Sequence, residues 1–121
     1  MTTYTITTKT DTLSSVSPTL NVETNVWSIA AQAADYILEG YISLQNMVSG
    51  DTTVITEYVA IDGTNFEVYS QTTFSGAQAQ SALRFHGKLF ELNTLYKVTV
   101  KQTAGTARAY PFSTVLQIFS T

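Results

Sequence analysis

LYKVTVKQTAGTARAYPFSTVLQIF, from Leu95 to Phe119, reads as two strands and the turn that joins them. In the first strand Tyr96, Val98 and Val100 alternate with Lys97, Thr99 and Lys101, which gives one buried face and one wet face. In the second, Tyr110, Phe112, Leu116 and Ile118 share a face that Thr114 interrupts, while Val115, Gln117 and Phe119 take the other. Pro111 has no N–H to give a ladder, so it belongs at the strand start or on an edge. Between the strands, Ala104-Gly105-Thr106 supplies a residue free to take a positive φ.

The same grammar runs backwards along the chain. Glu91-Leu92-Asn93-Thr94 precedes Leu95, Ser75-Gly76-Ala77-Gln78 leads to Leu83–Leu89, and Asp62-Gly63-Thr64-Asn65 separates Phe66–Phe74 from Thr53–Ile61. Ser49-Gly50-Asp51 separates that from Tyr36–Met47. Turn signals roughly ten residues apart, with no amphipathic helix of useful length between them, predict an all-β fold. The expectation is an antiparallel β-sandwich of about eight strands, jelly-roll-like or immunoglobulin-like, with a closed barrel as a third arrangement. Val26–Ile29 reads as a short strand, and Ala30–Asp35 is too short for a helix that stands alone, so it is read as a connection.

Residues 1–22 differ from the rest. They are rich in Thr and Ser, with sparse apolar residues, and Tyr4 and Ile6 alternate with Thr before Ser17-Pro18 breaks the pattern. An edge strand or an extended arm is expected there, followed by one sandwich domain over residues 23–121. Such an arm can lie on a partner.

Thr53–Ile61 is apolar on both faces, with Ile55, Val59 and Ile61 opposite Val54, Tyr58 and Ala60. A strand of that kind is covered twice, by its own sandwich or by another subunit. Trp27, Tyr4, Tyr69 and Phe119 are the aromatics that the alternation does not place inside. The candidate interface is therefore Tyr4, Ile6, Trp27, Ile55, Val59, Ile61, Arg108 and Phe119, where Arg108 either anchors its own turn or meets a partner's carboxylate.

Composition excludes several functions. Asp, Glu, Lys and Arg make up 12% of the 121 residues, against about 25% in an ordinary domain. With six basic residues and a net charge of −3, the chain lacks the clustered positive charge that nucleic acid needs. Without cysteine there is no disulfide, thiolate zinc site or cysteine nucleophile. The amino terminus lacks a signal-peptide pattern and no apolar run is long enough to span a membrane. His86, the one histidine, is read as a surface residue on a strand. The nine carboxylates are spread singly; Glu57 and Glu67, on neighbouring strands, are read as solvated, although a glycosidase-like spacing stays open for them. Asp62-Gly63 is explained by a hairpin turn more simply than by a calcium loop. No catalytic residue, cofactor or metal site is expected, and the protein is read as non-enzymatic.

A resemblance adds to this. Gly40–Met47, Gly50–Ile55, Tyr58-Val59, Asp62–Asn65, Thr73–Gln78 and Tyr96–Arg108 resemble small proteins encoded among the structural genes of tailed phages and archaeal viruses. The likeness covers about Gly40 to Ile118 and rests on turn and strand motifs. It implies a virion-associated β-sandwich, made in the host cytoplasm: a capsid decoration or cement protein, a turret, or a fibre-associated module. Its expected partners are copies of itself in a homo-oligomer and a capsid or virion protein. The rival expectation is a sandwich that binds carbohydrate or a host receptor through an exposed aromatic platform.

Overall fold

The computed structural model describes residues 5–119, with the side chain of His86 excluded. Eight strands occupy them: β1 (Ile6–Val16), β2 (Thr24–Ile29), β3 (Tyr36–Ser43), β4 (Thr52–Ala60), β5 (Glu67–Ser75), β6 (Ala82–Phe90), β7 (Leu95–Ala104) and β8 (Tyr110–Phe119). They form two four-stranded antiparallel sheets, ordered β1-β8-β3-β6 and β2-β7-β4-β5. The antiparallel sandwich of about eight strands expected from the turn spacing is the fold observed.

The pairing is nested. β4 pairs with β5, β3 with β6, β2 with β7 and β1 with β8, so the chain is one long hairpin turned back at residues 61–66. The further pairs β3·β8 and β4·β7 roll this hairpin into two sheets. An immunoglobulin-like order keeps the first two strands in one sheet. Here β1 and β2 lie in different sheets, and the connectivity agrees with the jelly-roll-like alternative.

Local chemistry sets the fold-back point. Asp62 Oδ1 accepts the N–H groups of Thr64 and Asn65 at 2.8 and 2.7 Å, and Gly63 takes a φ of 78° that a side chain would oppose. These backbone hydrogen bonds hold the Asp62 carboxyl below the usual carboxylate range.

The core lies between the sheets. Tyr96, Val98 and Val100 of β7 pack with Trp27, Leu38, Ile42, Phe85 and Tyr110, the Trp27 and Phe85 rings meeting nearly at right angles with 5.2 Å between centroids. Each fully buried valine contributes about 1.5–3 kcal/mol relative to exposure. One end of the core is polar and satisfied: Thr53 and Tyr110 share a 2.5 Å hydrogen bond, and Tyr110 donates to Gln102 Oε1. Gln102 Nε2 in turn donates to the carbonyls of Ala104 and Thr106, which ties the β7–β8 turn to the interior.

Two expectations are corrected, and one left open is decided. β3 ends at Ser43 instead of Met47: the Leu44 N–H still donates in register to the Ser81 carbonyl, and the chain then turns as the Met47 N–H donates to the Leu44 carbonyl. Of the two covers open to the second face of β4, the chain itself supplies much: Gln71 donates to Thr56 Oγ1, and Lys97 lies 4.9 Å from the Tyr58 ring and 4.3 Å from the Phe66 ring, while Val54 and Tyr58 stay half-buried. Thr99, assigned to the wet face of β7, is 2% exposed, its hydroxyl donating to Glu23 Oε2 beside that of Tyr58. Those two hydroxyls hold the Glu23 carboxyl below its ordinary range.

Candidate functional site

The apolar residues nominated from sequence fall into three environments. Trp27 and Ile55 are buried between the sheets, Trp27 against Phe85 and Ile55 at the floor of a cleft. Val59 is half-buried, and Ile61 lies beyond the end of β4 in the fold-back turn, 70% exposed, instead of sharing a strand face with Ile55. Ile6 and Phe119 are brought together as register partners at one end of the β1·β8 ladder. Tyr4 lies outside the described residues, as does the side chain of His86.

Arg108 anchors its own chain. Its Nε donates to Asp51 Oδ2 at 2.8 Å, and its backbone N–H donates to Gln102 Oε1. Asp51 is buried and also accepts the N–H groups of Val48 and Thr106. Those hydrogen bonds, that from Val48 first and that from the Arg108 guanidinium next, hold the Asp51 carboxyl below its ordinary range. Gly105 makes the junction possible: its φ is 86°, and a Cβ there would overlap Asp51 Oδ1.

Two surfaces stand out. The first is β1. It is an edge strand hydrogen-bonded to β8 alone. Thr10, Thr12 and Ser14 lie opposite Leu116, Thr114 and Phe112 and so face inward, but their short polar side chains reach no core and the strand is exposed on both faces up to Ser15. On the outward side Leu13 is 89% exposed, at one margin of a shallow apolar groove with Tyr41 and Pro111. Lys9 and Asp11 pair with each other at 3.0 Å, which leaves Thr12–Val16 without a charge.

The second surface is a cleft of about 690 Å³ between β5 and β6, the edge strands at the opposite side of the sandwich. At its base Glu57, read from sequence as solvated, is buried. It shares strand parity with Ile55 and so points inward, where Oε1 accepts from Tyr96 at 2.5 Å and from Lys88 at 3.1 Å. Burial, and then the Glu57 carboxylate, push the Tyr96 phenol up. Glu67 is exposed opposite Val59, so Glu57 is coupled to Lys88 and Tyr96 and not to a second carboxylate. The parity of Glu57 was legible in sequence; that of Lys88 was not. An extra residue in β6 between Phe85 and Lys88 shifts the alternation and brings Lys88 inward, opposite Leu38. A second extra residue, Tyr69 in β5, lies between the partners of Glu57 and Tyr58 and is 58% exposed at the cleft wall. Among the described residues no cluster of ionisable side chains is suited to a metal ion.

No protein-family model and no curated protein matches the sequence. Among solved structures the fold is similar to that of Bacillus endospore appendages, described as a family of disulfide-linked pili, with a TM-score of 0.63, 14% identity, and 97% of this chain and 90% of that one covered. It also aligns with infectious bursal disease virus, Gt strain, with a TM-score of 0.46, 12% identity and 96% of this chain against 32% of that one. The first likeness establishes a shared fold.

Proposed function

We propose that the protein is a non-enzymatic structural subunit that self-associates through the free edge of β1 and serves on a virion, as a capsid decoration or cement protein. The observation that carries this reading is an eleven-residue edge strand exposed on both faces. Natural sheets defend such edges with prolines, inward charges or short strands, because unpaired N–H and C=O groups invite another chain. β1 contains no proline; its lysine, Lys9, pairs with Asp11 and its register shift falls between Ile6 and Thr8, so such defences are confined to its first half and Thr12–Val16 has none. A second copy pairing along it satisfies the ladder and covers Leu13. Paired about a two-fold axis the contact closes a dimer; paired head to tail it generates a ring or filament.

The similarity to a pilus protein supports an assembly role, and the resemblance of Gly40–Ile118 to phage and archaeal virus proteins supports the virion. The pili are described as disulfide-linked. This chain has no cysteine, so its contacts rest on strand pairing and packing.

Light scattering on the purified protein, with electron microscopy of mixtures with capsid shells, tests the reading. Oligomers that Thr12→Pro dissociates, together with shell binding, are expected. A protein that stays monomeric at high concentration and ignores shells sinks it.

A further inference from the structure

We infer that the β5–β6 cleft is a carbohydrate-binding site, with Tyr69 as the stacking platform and Glu57 as the hydrogen-bond acceptor at its base. The inference stands apart from assembly through β1, since β1 and β6 are opposite edges of one sheet.

Three independent features converge on the cleft. Both strands that border it carry an extra residue there, Tyr69 in β5 and one between Phe85 and Lys88 in β6. Bulges break a ladder to re-aim side chains, and here they present an exposed ring from one wall and an amine from the other. Lys88 Nζ lies 5.7 Å from the centroids of both Tyr69 and Tyr96, so amine, rings and carboxylate form one connected group.

The second feature is the carboxylate. Burying a charge is costly unless it is paired and hydrogen-bonded. Tyr96 and Lys88 both reach Glu57 through Oε1, and Glu57 lines the cleft. A carboxylate at the cleft base can accept a hydrogen bond from a ligand hydroxyl.

The third is the balance of the lining. Ile55 and Phe85 give an apolar floor, whereas Ser70, Thr72 and Arg84 give hydroxyl and guanidinium groups. Lys88 is matched by Glu57, and Arg84 lies 3.8 Å from Glu39, so among the described residues the cleft has no surplus charge to select a phosphate or a nucleic acid. A purely apolar ligand would strand the buried ion pair. A neutral sugar offers C–H faces to the ring and floor and hydroxyls to the polar groups. The volume falls within the usual range for small-molecule sites, roughly 300–1,000 Å³.

A glycan array probed with the whole protein, followed by calorimetric titration of the best soluble oligosaccharide, tests the inference. Neutral glycans are expected to bind, with Tyr69→Ala weakening binding roughly tenfold or more and Glu57→Gln weakening it as well. Tyr69 is exposed and outside the core, so its variant carries the test even where Glu57→Gln fails to fold. Thr12→Pro is expected to leave glycan binding intact, and Tyr69→Ala to leave oligomer size intact. Absence of binding to every glycan on the array, or affinity unchanged by Tyr69→Ala, overturns the inference without touching the assembly reading.

Discussion

β1 and β7 are nearly equal in length, eleven and ten residues, and both carry threonine; yet one is exposed on both faces and the other is buried on its inner face and partly covered on its outer one. The inward positions differ in kind. β7 sends in Tyr96, Val98, Val100 and Gln102, whereas β1 sends in Thr10, Thr12 and Ser14. Their places in the sheets differ too: β7 lies between β2 and β4, while β1 has β8 on one side and an open edge on the other. A threonine is therefore buried or exposed by its neighbours. Thr99 is sealed because Glu23 and Tyr58 close over it; Thr12 has no such cover.

The contrast can be broken first at the core. Trp27 lies opposite Val98 of β7 and packs on Phe85, so Trp27→Ala is expected to cost about 3–5 kcal/mol in urea unfolding. A loss far smaller than that would mean that β7 is not the centre of the fold. A finer test removes one atom: Tyr96→Phe takes a hydrogen bond from the buried Glu57 carboxylate and is expected to cost about 1–3 kcal/mol.

Acid probes the junction that closes β7 onto β8. Asp51 has a depressed carboxyl in the folded state, so its contribution is fully present above the unfolded value of about 3.9 and is lost as pH falls through the lower folded value. Unfolding measured against pH is expected to show stability falling below about pH 4, with Asp51→Asn less stable at neutral pH and lacking that part of the acid limb. An unchanged acid limb in the variant would assign the loss to other carboxylates. The smallest effect on the monomer belongs to β1. Leu13→Asp is expected to change its unfolding free energy by no more than about 0.5 kcal/mol while abolishing self-association in light scattering. A large loss of monomer stability would show that β1 is part of the core after all.

Much of this was legible along the chain. Turn residues at Gly50, Gly63, Gly76 and Gly105, each with a positive φ in the structure, marked where strands stop, and the alternation in Leu95–Gln102 marked the inner face of β7. The interface candidates were less legible, because exposure of Trp27 or Ile55 depends on which strand lies across the sandwich, and that partner is distant in sequence. The cleft was nearly invisible: its two bulges shift strand parity by one residue, and nothing in Phe85–Lys88 or Val68–Ser70 announces where the extra residue falls.

By itself the sequence determined the all-β class, the strand count, the turn at Asp62-Gly63, and the absence of cysteine and of any basic patch. These follow from local rules, since side-chain period and turn chemistry act within a few residues. The tertiary structure alone decided that the hairpin rolls into nested pairs, that Arg108 reaches Asp51 instead of a partner, that Glu57 is buried beside Lys88, and that β1 is left uncovered. Each of those depends on strands far apart in the chain meeting in space, where packing and hydrogen-bond satisfaction choose among faces that sequence periodicity leaves equivalent.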